Sequence, residues 1–245
     1  MKNCIVIGGG IVGLSTAYYL QKEGHQVTVI DKSDFTTGAS YVNAGYITPS
    51  HVISLASPGM ITQGIKWMFN SASPFYVKPR FDIDFFKWTW AFKKSANAQK
   101  VKSSMPVIRD INLLSRELYE DLKTSNEFNF HYQRNGLMMY YQTDKVGEHE
   151  WEVGKKAIEV GLNAEHLTSI DAIRKYEPTA DLNVKGAVYF DCDGHMTPTD
   201  FMSDMVTYLK SKGVQIHANE EVKDIEVSNQ EISKVITNVS SYSAD

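Results

Sequence analysis

Six residues near the N-terminus, Gly8-Gly9-Gly10-Ile11-Val12-Gly13, stand between a short β-branched run, Cys4-Ile5-Val6-Ile7, and a helical stretch from Ile11 to Glu23. Gly24 ends that helix, and a second apolar run follows from Gln26 to Ile30. The order is strand, helix, strand, and both runs are read as strands buried on both faces of a parallel sheet. In the turn, Gly8, Gly10 and Gly13 satisfy G-x-G-x-x-G. Gly8 permits the tight turn, Gly10 lets backbone approach a pyrophosphate, and Gly13 lets the helix lie close to the strand. The phosphates would rest on the free N–H groups and positive end of the helix.

A glycine pattern alone fits a flexible turn equally well. Here the flanking elements agree with it, and Asp31 closes the second strand 18 residues beyond Gly13, where an acidic residue accepts hydrogen bonds from an adenosine ribose. Dinucleotide binding on an α/β scaffold is therefore the expectation. Twenty-five Lys and Arg face 29 Asp and Glu, a net charge of -4, so no basic excess exists to hold a nucleic-acid backbone. Cys4 and Cys192 have no second Cys or His at metal-ligand spacing, so no metal is expected and a reduced cytoplasmic compartment is the default. The uncharged stretch from Asn3 to Leu20 has the look of a signal-peptide core, but three glycines interrupt it and no cleavage site follows. No window reaches the length of a membrane span, so any membrane contact would be peripheral, at the inner face of the cell membrane.

The glycine pattern does not choose between FAD and NAD. A nicotinamide dehydrogenase continues with further strand and helix units, whereas this chain enters a small-residue segment from Lys32 to Pro58 and then a Trp- and Phe-rich region. Gly38-Ala39-Ser40 and Asn43-Ala44-Gly45 would let the main chain run flat against a planar ring; a solvated loop is the alternative, disfavoured by the apolar Tyr46-Ile47 that follows.

Val6 to Ala17, Asp31-Lys32, Gly38 to Gly45 and Ala56-Ser57-Pro58-Gly59 together resemble the N-terminal part of the FAD-dependent D-amino-acid oxidase superfamily, in particular its bacterial D-amino-acid dehydrogenase small subunits. Tyr176-Glu177-Pro178, Gly186-Ala187 and Asp193-Gly194-His195-Met196-Thr197-Pro198 agree with that likeness. The resemblance implies an α/β fold with a Rossmann-like FAD-binding domain and an inserted α+β substrate domain. The resemblance also leads one to expect a truncated version of that fold, since relatives continue past the position of Asp245 with a strand, a flavin-site turn and the rest of the substrate domain. The implied division is 1–60 and 195–245 for the FAD domain and 61–194 for the substrate domain. The implied cofactor residues are Ile7, Gly8, Gly9, Gly10, Ile11, Val12, Gly13, Asp31, Lys32, Ser40, Asn43, Ala44 and Gly45, with the Val222 backbone meeting the adenine.

Further along, the aromatic cluster Trp67, Phe69, Phe75, Phe81, Phe85, Phe86, Trp88, Trp90 and Phe92 accompanies two short helices, Thr62 to Phe69 and Phe85 to Lys94. Core packing is favoured for it over a membrane-surface or quinone-side patch. Val107 to Leu122 reads as a long amphipathic helix burying Ile108, Ile111, Leu114, Leu118 and Leu122, with its charges solvated. Phe130 to Tyr132 and Gly136 to Gln142 read as a hairpin around Arg134-Asn135-Gly136. Helices at Val146 to Val160 and Ser169 to Tyr176 and a strand at Val184 to Phe190 follow. Pro198-Thr199-Asp200 opens a helix, Phe201 to Lys212, that ends at Gly213. Val214 to His217 is expected as a third parallel strand, with strands at Glu221 to Ser228 and Ile232 to Val239, the last leaving an unpaired edge. His195 and His217 lack partners at useful spacing and read as surface or turn residues.

Bound FAD implies oxidation of an amine carbon, giving an imine that hydrolyses to a 2-oxo acid. The expected partners are a D-amino acid or related amine and an electron acceptor, quinone or oxygen, with a homo-oligomer or second subunit also open. No catalytic residue is legible. Tyr46 and His51 are the substrate-side candidates, with plain packing the favoured alternative for each, and Arg80 and Arg134 could bind a carboxylate, with surface placement an equal alternative. A non-catalytic FAD-binding fragment or subunit lacking a complete substrate pocket is the competing hypothesis, ahead of a nicotinamide enzyme.

Overall fold

A computed structural model of the chain describes residues 1–54, 56–58, 82–228 and 230–245. It forms two compact units, one of residues 1–46, 118–133 and 195–245 and the other of residues 47–117 and 134–194. Segment 118–133 therefore belongs with the N-terminal unit, and 47–58 with the other.

The first unit is built on β1 (Asn3–Ile7), α1 (Ile11–Lys22) and β2 (Gln26–Ile30). β1 and β2 pair in parallel from Asn3 opposite Gln26 to Ile7 opposite Ile30. Leu14, Ala17 and Tyr18 recur at helical spacing on the buried side of α1. The helix stops where Gly24 takes φ +82°, a left-handed conformation that only glycine adopts cheaply. The small β3 (Tyr46–Ile47) closes the segment that follows.

Later segments complete the unit. α6 (Pro198–Ser211) starts with Pro198 in its first turn, where a missing N–H costs nothing, and ends before Gly213 at φ +85°. It buries Phe201, Met202, Met205, Tyr208 and Leu209, packs on α1, and shares a core with Val6, Val27, Val29, Phe128 and Phe130. The chain then forms β9 (Gln215–His217), which pairs in parallel with β2, giving the expected third strand in the order β1-β2-β9.

Burial corrects two expectations here. β1 is buried on one face only, since Val6 is enclosed while Ile7 remains 50% exposed. Its β-branched run reflects strand propensity as well as burial. Nor is the strand at the chain's end an edge. β11 (Glu231–Thr237) lies between β10 (Val222–Ser228) and β12 (Ser241–Tyr242), because the chain turns back at 238–240.

In the second unit α2 (Ile83–Ser95) is capped by Asp82, whose side chain accepts from the Phe85 N–H at 2.7 Å. None of its residues is buried; Phe86, Trp88 and Trp90 are exposed, Trp90 by 70%. The core assignment of this stripe is thus overturned for the described residues. Its rings pair with one another along the helix, Trp88 stacking on Phe92 with centroids 5.5 Å apart. The helix 62–69, Trp67, Phe69, Phe75, Phe81 and Arg80 lie outside the described residues.

The long helix is α3 (Ala98–Thr124), longer than expected and with Pro106 inside it. Its buried positions are Val101, Met105, Arg116 and Leu122, while Ile111 and Leu114 are exposed. The charged Arg116 is buried against expectation because its Nη1 donates to the Cys192 carbonyl at 3.1 Å. Hydropathy alone cannot show such a partner.

The expected hairpin is absent. β4 (Tyr132–Gln133) pairs with β8 (Gly194–Met196), whereas β5 (Leu137–Tyr141) pairs with β7 (Gly186–Phe190). Gly136, at φ +79°, turns the chain between two sheets, its N–H held by the Asp193 carbonyl at 3.0 Å. β7 also pairs with β6 (Glu165–Leu167), so it is central in β5-β7-β6. α4 (Asp144–Glu159) packs on this sheet, and the short α5 (Ile170–Ile173) starts at its Ser169 cap. Among the described residues no helix is long and apolar enough to cross a membrane.

Candidate functional site: the glycine turn of the first unit

Parallel pairing of β1 and β2 brings the ends of both strands to the start of α1. Gly8, at φ +103°, makes the reversal there, and its N–H donates to the Ile30 carbonyl at 2.8 Å. A Cβ on Gly13 would lie 1.8 Å from the Gly8 carbonyl oxygen, so only hydrogen lets helix and turn approach this closely. A Cβ on Gly10 would project beside the Ser40 hydroxyl, 3.2 Å away, into the space in front of the helix. No acidic side chain occupies the first turn of α1, so its positive end is left for an anion.

Gly9 shows what the motif reading missed. A Cβ there would fall 2.1 Å from the Phe35 ring, which is buried behind the turn from a backbone at φ +62°. The variable position of the pattern is thereby as restricted as its fixed ones. No spacing rule would have paired residues 9 and 35.

Asp31 is tied into the same turn. Its Oδ2 accepts from the Gly9 N–H at 2.5 Å, and its Oδ1 from the Ser33 N–H and hydroxyl at 2.7 and 2.6 Å. Burial opposes the charge, but these hydrogen bonds, with nearby Lys32, outweigh it and hold the carboxyl below the ordinary carboxylate range. An ionised carboxylate has about four acceptor sites, so Asp31 retains capacity for a hydroxyl. The Asp31 N–H donates to the His217 carbonyl at 3.0 Å, and its carbonyl accepts from the Glu220 N–H at 2.9 Å. The passage from His217 to Val222 thereby runs along the end of β2, beside the exposed Lys32.

The 38–45 segment is also placed against the turn. The Ser40 hydroxyl accepts from the Ile11 N–H at 3.0 Å, at the first amide of α1. Asn43 bonds its own segment, donating to the Ala39 and Ser40 carbonyls and accepting from the Gly45 N–H at 2.8 Å. Gly45, at φ +69°, lies against β8, where its Cβ would meet the Met196 carbonyl oxygen at 1.9 Å. Ala44 and Val12 are exposed, and Ile11 is half-buried. The arrangement suits a dinucleotide: small residues where side chains would intrude, a helix start free of carboxylates, and a hydroxyl and a carboxylate on either side.

Of the substrate-side candidates, Tyr46 is 63% exposed in the first unit and His51 is exposed in the second, so neither serves as core packing. Arg134 is exposed. His217 has partners the spacing did not suggest, with Nδ1 3.2 Å from the Tyr242 hydroxyl and 3.4 Å from Glu220 Oε2. The His195 ring lies 5.7 Å from that of His131. Among the described residues no group of three or more His, Cys, Asp and Glu could hold a metal.

The family model described as FAD dependent oxidoreductase matches residues 3–244. The chain belongs to this family. FAD is accordingly the cofactor of the family to which the chain belongs. A D-amino acid dehydrogenase of Helicobacter pylori is 32% identical over 244 residues, covering 100% of this chain and 58% of its own. This chain thus spans a little over half the length of that relative. Among solved structures, glycine oxidase from Bacillus cereus superposes with a TM-score of 0.66 at 19% identity, over 99% of this chain and 53% of that one. An FAD-bound L-α-glycerophosphate oxidase from Mycoplasma pneumoniae gives 0.63 at 16% identity, over 97% and 50%. At such identities the likeness shows the fold, including the Rossmann-like layout.

Proposed function

We propose that this chain forms the FAD-holding part, and some of the substrate side, of an enzyme that oxidises the amine carbon of a D-amino acid or related amine. When bound, FAD supplies an acceptor for the substrate's α-hydrogen as hydride, and the resulting imine hydrolyses to a 2-oxo acid and ammonia. The final electron acceptor would be oxygen or a quinone. The reading is carried by the glycine turn, where Gly8, Gly10 and Gly13 each meet the geometric demand of a dinucleotide site. The name of the 32% identical relative supplies the substrate class.

In this reading the backbone from Ile7 to Gly13 receives the pyrophosphate, with Gly10 leaving room for it and the Ser40 hydroxyl beside it. Asp31 and Lys32 take the adenosine ribose, and the Val222 backbone meets the adenine. Asn43 shapes the 38–45 segment so that Ala44 and Gly45 present backbone to the ring system. The unit of residues 1–46, 118–133 and 195–245 serves as the cofactor domain and the unit of residues 47–117 and 134–194 as the substrate domain, a division shifted from the 1–60, 195–245 and 61–194 expected from sequence. Tyr46 and His51 serve the substrate.

The test is the visible spectrum of the purified chain with FAD, recorded anaerobically before and after a panel of D-amino acids. Bleaching by one of them is the expected result. A flavin spectrum that no amino acid bleaches would instead support a cofactor-binding piece without a working pocket. Failure to retain FAD would refute the site assignment.

A further inference from the structure

The first unit buries a carboxylate that the site described above does not use. Glu220 lies in the turn between β9 and β10 and is only 4% exposed. A buried charge is costly unless hydrogen bonds replace its water. Here the Thr237 hydroxyl donates to Oε1 at 2.5 Å, and the Tyr242 hydroxyl lies 2.9 Å from Oε1 and 3.0 Å from Oε2. His217 Nδ1 is 3.4 Å from Oε2. The Thr237 bond, with those of Tyr242 and the nearby His217, outweighs burial and holds the carboxyl below the ordinary glutamate range, so it is charged at neutral pH.

The donors come from the antiparallel sheet β10-β11-β12, and the turn they hold lies against β2. Thr237 ends β11 and Tyr242 belongs to β12. Within the turn Asn219 takes φ +58°, a left-handed conformation unfavourable for a residue with a side chain. Three main-chain bonds nevertheless pin the turn along the end of β2. The Asn219 N–H donates to the Ser33 carbonyl at 2.9 Å, the Glu220 N–H to the Asp31 carbonyl at 2.9 Å, and the Asp31 N–H to the His217 carbonyl at 3.0 Å. Asp31 is thus clamped through its own N–H and carbonyl by two residues of the turn. Its side chain then reaches the glycine turn, where Oδ2 accepts from the Gly9 N–H at 2.5 Å. A continuous series of bonds runs from the Thr237 and Tyr242 hydroxyls through Glu220 and Asp31 to Gly9.

We propose that Glu220 is a positioning residue for the adenosine of the cofactor: its buried carboxylate, held by Thr237 and Tyr242, sets the main chain of Asp31 and so fixes the Asp31 carboxylate between the Gly9 N–H and the ribose. This rests on the reading of Asp31 given under the proposed function. Packing alone does not call for a charge here, since an apolar side chain fills such space without desolvation. The carboxylate differs in admitting only the turn geometry that keeps both hydroxyl donors in reach. Its effect passes to the ligand through Asp31, so the two residues act as one unit on FAD affinity.

The experiment pairs an assigned proton–nitrogen spectrum of the full, ligand-free chain with a fluorescence titration by FAD, for wild type, Asp31→Ala, Glu220→Gln and Tyr242→Phe. Glu220→Gln keeps the shape and removes the charge, while Tyr242→Phe removes one donor, so a folding failure in one leaves the other. The Gly9 amide proton, bonded to a carboxylate, should resonate downfield in wild type and move upfield in all three variants. FAD affinity should fall about tenfold in Glu220→Gln and about threefold in Tyr242→Phe, the scale of coupling within one hydrogen-bonded network. In an Asp31→Ala background Glu220→Gln should weaken FAD by less than about twofold more, whereas a role in stability alone would give the same loss in both backgrounds. A Gly9 resonance unmoved in both Glu220→Gln and Tyr242→Phe overturns the positioning role, as does the full loss of affinity in the Asp31→Ala background. A moved resonance with unchanged FAD affinity in Glu220→Gln overturns its bearing on the cofactor. A wild-type chain that binds no FAD, or Asp31→Ala binding it as wild type does, overturns the cofactor reading itself, and the Gly9 resonance of the ligand-free chain separates that failure from the first.

Discussion

Gly13→Ala is the sharpest perturbation of the cofactor site, because it adds one methyl group to a helix that would otherwise welcome it. The new Cβ would lie 1.8 Å from the Gly8 carbonyl oxygen and 3.0 Å from its carbon, short of ordinary contact by about 1.5 Å. Both neighbours are backbone, and Gly8 is itself held by its 2.8 Å bond to Ile30. Relief therefore requires the start of α1 to move or that bond to break. Overpacking costs about 1–3 kcal/mol and a lost hydrogen bond about 1 kcal/mol, while alanine returns about 1 kcal/mol of helix propensity. The net expectation is a destabilisation of about 2 kcal/mol. A shift of about 1 Å also takes the helix amides out of hydrogen-bond range of a phosphate. Two such charge-assisted bonds, at about 1.5–3 kcal/mol each, correspond to a loss of about 10²- to 10⁴-fold in FAD affinity. Urea unfolding and a fluorescence titration with FAD measure the two effects. Gly24→Ala is the control: it meets open space, costs about 1 kcal/mol through its φ of +82°, and should leave FAD affinity unchanged. A Gly13→Ala chain with wild-type stability and affinity would refute the close-approach argument.

Other substitutions probe separate parts of the structure. The Asp31 carboxyl is held below its ordinary value, so its contribution to stability is present above about pH 4 and lost as pH falls through the folded pKa. Wild type should accordingly outlast Asp31→Asn in urea at pH 7, and the gap should narrow as pH falls below about 4; a gap independent of pH would contradict this, as would an unchanged FAD dissociation constant in Asp31→Ala. Burial, reinforced by Asp193, pushes the Cys192 thiol up to about 12, so at pH 8 only about one thiol in 10⁴ is thiolate. Cys192 should react with a disulfide reagent only after unfolding, and rapid labelling in the native chain would argue against its placement. Trp90→Ser should change unfolding free energy by less than about 0.5 kcal/mol, since the ring is exposed; a loss above 2 kcal/mol would restore the core reading of the aromatic stripe.

Much of the candidate site's local geometry was legible because local sequence and local structure coincide there. The β1-turn-α1-β2 unit is contiguous, its glycines answer to backbone conformation and close approach, and Asp31 follows at strand length, so residue type and spacing carry the information. α6 was equally legible, with Pro198 and Gly213 marking its ends and its apolar positions repeating at helical spacing. What spacing could not supply were pairings across long stretches of chain. Phe35 behind Gly9 is one case, and the diversion of β4 and β5 to different sheets at Gly136 is another.

By itself, then, the sequence determined the α/β unit of β1, α1 and β2 and its glycine turn, since their constraints act between residues close in the chain. Tertiary structure alone decided that Arg116 is buried, that the α2 aromatics face outward, and that Ser50 meets Asp193 across 143 positions. Burial and hydrogen-bond pairing depend on which distant segment arrives beside a residue. No property of the residue itself reports that arrival.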